Sequence, residues 1–262
     1  MTARLLLVGG GRMGAALIGG LINAGWATAS ELAVVEPVDG RRKELADEFP
    51  GVAVDAAPVD ADGAVVAVKP NDVEAACASL SGRVGRVLSI AAGVPLKKLE
   101  GWLPAGTPVV RAMPNTPALV GTGAAAIAAG TAASDDDLAW AEGVLGAVGT
   151  VVRVPEKLLD AVTGLSGSGP AYVFLVVEAL IDAGVLAGLP RDVSERLTIQ
   201  TLLGSARLLV ESGDSAEQLR AAVTSPGGTT AAGLRVLEER AVRAAFLDAV
   251  AAATERAREL GE

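Results

Sequence analysis

The sequence predicts an α/β fold, a doubly wound and mostly parallel sheet followed by an all-α C-terminal region. Three observations predict it. Short apolar runs of strand length recur through the first 155 residues, separated by stretches of helical period. The first run, Leu5-Leu6-Leu7-Val8, breaks into Gly9, Gly11 and Gly14 at the G-x-G-x-x-G spacing, and a helical pattern of Ala15, Leu17, Ile18, Leu21 and Ile22 begins at once. From Glu156 onward the strand pattern gives way to long helical stripes. The expected division is therefore a dinucleotide-binding, Rossmann-like domain over residues 1–155 and an all-helical domain over 156–262.

The glycine turn carries its own physical reasons. Gly9 permits a tight bend, Gly11 lets the backbone approach a pyrophosphate, and Gly14 lets the helix lie close on the strand. Gly10, Arg12 and Met13 complete the bend and the first helical turn, whose unpaired amides suit an anion. A secretory leader is the competing outline, since Arg4 precedes an apolar stretch and Ala27-Thr28-Ala29 mimics a cleavage site. Arg12 and the glycines scattered from Gly9 to Gly25 interrupt it, so no leader is expected.

The second strand, Leu32-Ala33-Val34-Val35, ends in Glu36, roughly 20 residues past the turn, where a carboxylate commonly takes the adenosine ribose hydroxyls. That carboxylate would repel a 2′-phosphate and so leans towards NAD over NADP. Arg41 and Arg42 either pair such a phosphate or form a solvated helix face. A third run, 63–68, ends in Lys69-Pro70-Asn71-Asp72, with Asn71 or Asp72 placed to cap the next helix. Loops after parallel strands line the ligand crevice. Ala67, Val68, Lys69 and Pro70 are therefore cofactor-site candidates, as are Ala91, Ala92 and Gly93 after the fourth run, and Pro114 and Asn115 after the fifth. The segment Met113-Pro114-Asn115-Thr116-Pro117 also reads as a simple rigid turn.

In the helical half, glycine-rich breaks are expected at 164–170, 188–190 and 225–230. The helix from Ala171 to about Ala187 is apolar on most sides, the next carries Val193, Leu197, Ala206, Leu209 and Val210, and the last carries Val242, Phe246, Val250 and Leu260. Such helices need more cover than one small domain supplies, so a second subunit is expected. The turn Ser225-Pro226-Gly227-Gly228-Thr229-Thr230 opens a helix, and its amides and hydroxyls suit a small carboxylate; an ordinary Ser/Thr cap is the alternative.

Composition narrows the classes further. Hydrophobic residues make up 51% of the 262 but aromatic ones only 3%, so packing rests on Ala, Val and Leu. A net charge of −9 argues against nucleic acid, which needs clustered positive charge. No membrane span is expected: the longest uncharged run, 112–134, holds Pro114, Asn115, Pro117 and several glycines. The single Cys77 allows no intramolecular disulfide and reads as a small core residue. With no histidine there is no imidazole base or ligand, and no metal site is expected.

Over its full length the chain resembles the pyrroline-5-carboxylate reductases. The matching segments are Val68-Lys69-Pro70, Ala91-Ala92-Gly93, Met113 to Pro117, Asp160 to Tyr172, Gly188-Leu189-Pro190 and Thr224 to Thr230; the fourth and the last are highly specific. The resemblance implies a cytoplasmic reductase of proline biosynthesis that passes a hydride from NADPH or NADH to the C=N carbon of 1-pyrroline-5-carboxylate. A cyclic imine needs little help from histidine, because its ring nitrogen accepts a proton before or during attack. It further implies that residues 156–262 serve substrate binding and dimerisation. Ser225, Gly227, Gly228, Thr229 and Thr230 would hold the substrate carboxylate, with Thr230 and Glu156 as the catalytic candidates and Glu156 steadying the ring N–H. Without the resemblance Glu156 reads as a first-turn helix acid. Thr163 and Ser168 rank second. The helical halves of two subunits would interleave, and dimers would assemble further.

Departures from the family pattern concentrate on the cofactor side. Glu36-Pro37 stands where many members carry residues suited to a 2′-phosphate, and Ala56 and Ala222 stand where some carry Asn. The nearest rival, a β-hydroxyacid dehydrogenase, needs a catalytic lysine on the helix after Gly169, which reads Ala171 to Glu178 without one. A non-catalytic dinucleotide-binding regulator is the rival from another class.

Overall fold

A computed structural model describes residues 2–261. Its strands are β1 (Leu5–Val8), β2 (Leu32–Val35), β3 (Ala53–Asp55), β4 (Ala64–Val66), β5 (Val87–Ser89), β6 (Val109–Met113), β7 (Gly123–Ala129) and β8 (Gly149–Arg153). They form one sheet in the order β3-β2-β1-β4-β5-β6-β7-β8. Every neighbouring pair is parallel except β6 and β7. Helices α1 (Arg12–Asn23), α2 (Asp39–Glu48), α3 (Val73–Ser79), α4 (Leu96–Trp102) and α5 (Asp135–Gly146) cross between the strands. After β8 come α6 (Leu159–Val162), α7 (Gly169–Leu186), α8 (Arg191–Ser212), α9 (Ala216–Ala222), α10 (Thr229–Glu239) and α11 (Val242–Gly261). The doubly wound sheet and the all-α C-terminal region are both as the sequence predicts.

The strand period explains the two-sided core. Leu6 and Val8 of β1 join Val66, Cys77, Leu80 and Leu99 on one face, while Leu5 and Leu7 join Leu17, Ile18, Leu21 and Leu45 on the other. Cys77 is fully buried, and that burial pushes its thiol up to about 11. It is the core residue expected of it, inert as a nucleophile.

Contacts divide the chain into two compact units, Met1–Pro170 with Ala251–Glu262, and Ala171–Val250. The sheet unit thus extends past Pro155, because α6 packs into the core through Leu159. The expected glycine-rich break at 164–170 is helical instead. Residues Thr163–Gly167 form one π turn between α6 and α7, with Ser168 N–H donating to Thr163 O at 2.8 Å. Glycines are tolerated there because the Thr163 and Ser166 hydroxyls bond back to Leu159 O and Val162 O, supplementing the widened ladder. The helix cap expected from Asn71 or Asp72 is not made. A 3₁₀ turn, Pro70–Asp72, runs straight into α3, and Asp72 holds the cap position without a side-chain bond.

Candidate active site

The strand order reverses between β1 and β4, and the carboxyl ends of the parallel strands open a crevice there. Gly9 leaves β1 at φ +109°, and a Cβ placed on it would lie 2.6 Å from Ala67 O. The space is filled by the neighbouring β4 loop, so only glycine fits. A Cβ on Gly14 would meet Gly9 O, which is how α1 comes to rest on the turn. At Gly11 the opposite holds: a Cβ would meet nothing within 4 Å. Gly11 is also the N-cap of α1, and no side chain caps it, so the first-turn amides face open space. An open approach, free amides and a helix N-terminus suit a pyrophosphate, and the turn fits a dinucleotide.

Glu36 sits at the end of β2, 8% exposed. Its Oε2 accepts from Gly10 N at 3.0 Å and its Oε1 from Val38 N at 3.0 Å, so the carboxylate is aimed at the glycine turn and held rigid. The arginines make the ion pairs of a helix face and also reach the backbone of the glycine turn and of the loop after β2. Arg41 Nε donates to Gly10 O at 2.7 Å, and Arg42 donates to Glu36 O and Pro37 O at 2.9 and 2.8 Å. They brace the β2–α2 loop, and each is further committed to an acid on α2, Glu44 and Asp39 respectively.

On the other side of the turn lies a cleft of about 280 Å³. It brings together Met13, Ala67 and Val68 after β4, Ala91 and Ala92 after β5, and Pro114 and Asn115 after β6. The walls are apolar apart from Asn115 and Thr116, which suits a flat heteroaromatic ring shielded from water. Ile90, Met113, Thr116 and Gly167 also line it and were not among the sequence candidates. The first three adjoin predicted residues, but Gly167 comes from the π turn, which no local pattern signals. Lys69 and Pro70 are exposed and lie outside this lining. Gly93, at φ +73°, is backed by the last turn of α11, where a Cβ would come 3.3 Å from Leu260 O.

Asn115 ties the cleft walls together: its Nδ2 donates to Ser166 O at 3.1 Å, and its Oδ1 accepts from Ala124 N at 2.8 Å. Glu156 does not line the cleft. Its Oε1 accepts from Leu96 N at 2.7 Å and from Arg111 at 2.9 Å, and Arg111 also approaches Asp160 at 4.0 Å. Arg111 was missed by the sequence reading. A charge inside the apolar run Val109-Val110-Arg111-Ala112-Met113 was the available signal, because a buried cation requires a partner.

The second glycine turn lies in the helical unit. Gly227 adopts φ +70°, Gly228 N donates to Ser225 O at 3.0 Å, and Gly228 is the N-cap of α10 without a side-chain bond. Its geometry leaves the first-turn amides of α10 available to an anion, with Thr229 exposed and Thr230 half-buried at the opening.

Known proteins share both halves. Residues 156–260 match the family model for pyrroline-5-carboxylate reductase dimerisation, and residues 4–93 match the coenzyme F420-dependent NADP oxidoreductase model. The match assigns to dimerisation the stretch Glu156–Leu186, which is by length and composition apolar enough to cross a membrane. The chain is 45% identical over 270 residues to the pyrroline-5-carboxylate reductase of Synechocystis sp., across 100% of both chains. It is 44% identical to that of Mycobacterium tuberculosis, across 98% of this chain and 97% of the other. A solved pyrroline-5-carboxylate reductase from Coxiella burnetii matches with a TM-score of 0.94 at 37% identity, covering 100% of each. The Plasmodium falciparum pyrroline carboxylate reductase, solved with NADP bound, matches at 0.85 and 31% identity, covering 99% and 98%. Likeness of this degree from end to end means that the chain belongs to the pyrroline-5-carboxylate reductase family.

Proposed function

We propose that this protein reduces 1-pyrroline-5-carboxylate to L-proline, the last step of proline biosynthesis in the cytoplasm, with NADH as its preferred reductant. The observation that carries the reading is the open glycine turn, Gly9 to Gly14, at the head of a chain whose whole length matches these reductases. Bound reduced nicotinamide supplies the hydride. The amides of Gly11, Arg12, Met13 and Gly14 bind the pyrophosphate, Gly9 and Gly10 shape the turn, and Glu36, held by the Gly10 amide, receives the adenosine ribose hydroxyls. Ala67, Val68, Ala91, Ala92, Pro114 and Asn115 wall the ring side and exclude water, with Lys69, Pro70 and Gly93 shaping the loops beside it. Residues 156–262 form the substrate-binding and dimerisation region, with helices that interleave with those of a second copy and surfaces for joining dimers. In it Ser225, Gly227, Gly228, Thr229 and Thr230 hold the substrate carboxylate, and Thr230 orients the ring. The hydride forms the new C–H bond at the C=N carbon, while the ring nitrogen, protonated before or during attack, becomes the amine. That chemistry calls for positioning and charge screening more than for an acid–base residue.

Support for NADH comes from Glu36. A 2′-phosphate would approach a buried carboxylate fixed by two backbone amides, and Arg41 and Arg42 are already bound to backbone carbonyls. At an effective dielectric typical of protein surfaces, one such charge contact opposes binding by up to about 4 kcal/mol at 4 Å. The NADP bound to the Plasmodium relative favours the second reading, NADPH.

Following reduced-nicotinamide absorbance with pyrroline-5-carboxylate and each cofactor tests both parts. Turnover faster with NADH, and a Glu36→Ser variant that narrows the gap by about tenfold or more, is the expected result. No turnover with either cofactor removes the reductase reading, and equal selectivity before and after the substitution removes Glu36. Thr230→Val should raise KM for the substrate and leave cofactor affinity unchanged; the reverse pattern would reassign the second turn.

A further inference from the structure

We infer that Arg111 and Glu156 form a positioning pair for the ring-side cleft, with Glu156 acting through the loops it ties and not by touching the substrate. The inference rests on the reductase reading only for its catalytic arm.

The cleft walls are the segments that follow β4, β5 and β6, together with the π turn. Each leaves its strand just where the ladder ends, so other bonds must set their spacing. Asn115 supplies one set, to Ser166 and Ala124, and Glu156 supplies another. One oxygen, Oε1, accepts from the first-turn amide of α4 at Leu96 and from the guanidinium of Arg111 on β6. The N-cap of α4 is Pro95, which makes no side-chain bond, so the Leu96 amide depends on Glu156. A single carboxylate thus joins the loop carrying Ala91 and Ala92, the strand that leads into Met113 and Pro114, and the start of the segment that reaches Gly167. Arg111 is 10% exposed and two residues ahead of Met113. Its charge is matched by Glu156 at 2.9 Å, with Asp160 at 4.0 Å. Removing Arg111 strands the Glu156 carboxylate, whereas removing the Glu156 charge leaves Arg111 with Asp160 at 4.0 Å; removing both takes the stranded Glu156 charge away.

That asymmetry separates positioning from direct contact. Glu156→Gln keeps an amide oxygen for Leu96 N–H and for Arg111, so a positioning role predicts a small change in kcat and an unaltered pH profile. Arg111→Met should raise the NADH dissociation constant, read by fluorescence titration without substrate, by about tenfold. KM for NADH should rise with it, with kcat little changed. The double variant, Arg111→Met with Glu156→Gln, should bind NADH more tightly than Arg111→Met alone, because the stranded carboxylate is gone. Circular dichroism of each variant reports folding independently. A collapse of kcat in Glu156→Gln with normal NADH binding and a shifted pH profile would overturn the inference in favour of substrate contact. An unchanged NADH dissociation constant in Arg111→Met would overturn it too. Failure of the reductase reading would instead show as wild-type protein that binds NADH and turns over no pyrroline-5-carboxylate.

Discussion

The sheet unit and the helical unit place their apolar side chains in opposite ways. In the first, Leu5, Leu6, Leu7, Leu17, Ile18, Leu21 and Leu45 are sealed on both faces of the sheet. In the second, Ile181 and Ser194 are the buried residues among those described, while Leu175 and Phe174 stand more than half exposed and Val210 and Leu186 almost wholly so. The sheet residues encode a core that one chain completes. The helices encode a surface that another copy must complete, as the dimerisation match implies.

The contrast can be broken from the helical side with the largest effect. Phe174→Asp places a charge on the exposed face of α7 and should convert dimer to monomer, weakening association by about a hundredfold or more. Light scattering would read the mass, and NADH titration should show the sheet unit still binding. An intact dimer would move the interface away from α7.

Two glycines sharpen the contrast from the sheet side. Gly9→Ala forces a Cβ against Ala67 O at a positive φ and should cost about 1–3 kcal/mol of stability along with NADH affinity. Gly11→Ala meets only open space and should leave stability unchanged while still weakening NADH, because the space is reserved for the pyrophosphate. Denaturant melts paired with NADH titrations would separate the two. Equal stability losses would mean that the turn is structural at both positions.

The smallest effect concerns the cap of α5. Ser134 accepts from Asp137 N, and its hydroxyl and N–H both donate to Asp137 Oδ2. Burial pushes the Asp137 carboxyl up, but those bonds and Arg86 outweigh it and hold the carboxyl below its usual range. Ser134→Ala should cost about 1 kcal/mol at neutral pH. A carboxyl depressed in the folded state stabilises fully above its ordinary range and loses that contribution as pH falls through the folded value. The difference between variant and wild type should therefore shrink in acid, and a pH-independent difference would remove Asp137 from the account.

Much of this was readable in one dimension because the physics is local. The continuous apolar runs of the strands buried on both faces, the G-x-G-x-x-G bend, the Glu36 position and the glycine turn opening α10 each depend on neighbours a few residues away. β7 was not readable in that way: Gly123–Ala129 is almost all alanine, with little strand propensity, and it is a strand because β6 and β8 flank it. The π turn Thr163–Gly167 escaped for a related reason. Its glycines suggest a break, yet Gly167 packs against Met113 and Ser166 O receives Asn115, contacts made from a different strand end.

By itself the sequence determined the class of fold, the dinucleotide turn and the need for a partner, since each follows from spacing and from apolar surface left without cover. Tertiary structure alone decided that Arg41 and Arg42 brace the loop beside Glu36, and that Arg111 and Glu156 meet beneath the cleft. Residues 45 positions apart in the chain become partners at 2.9 Å only after the sheet has stacked their segments, and no local pattern carries that distance.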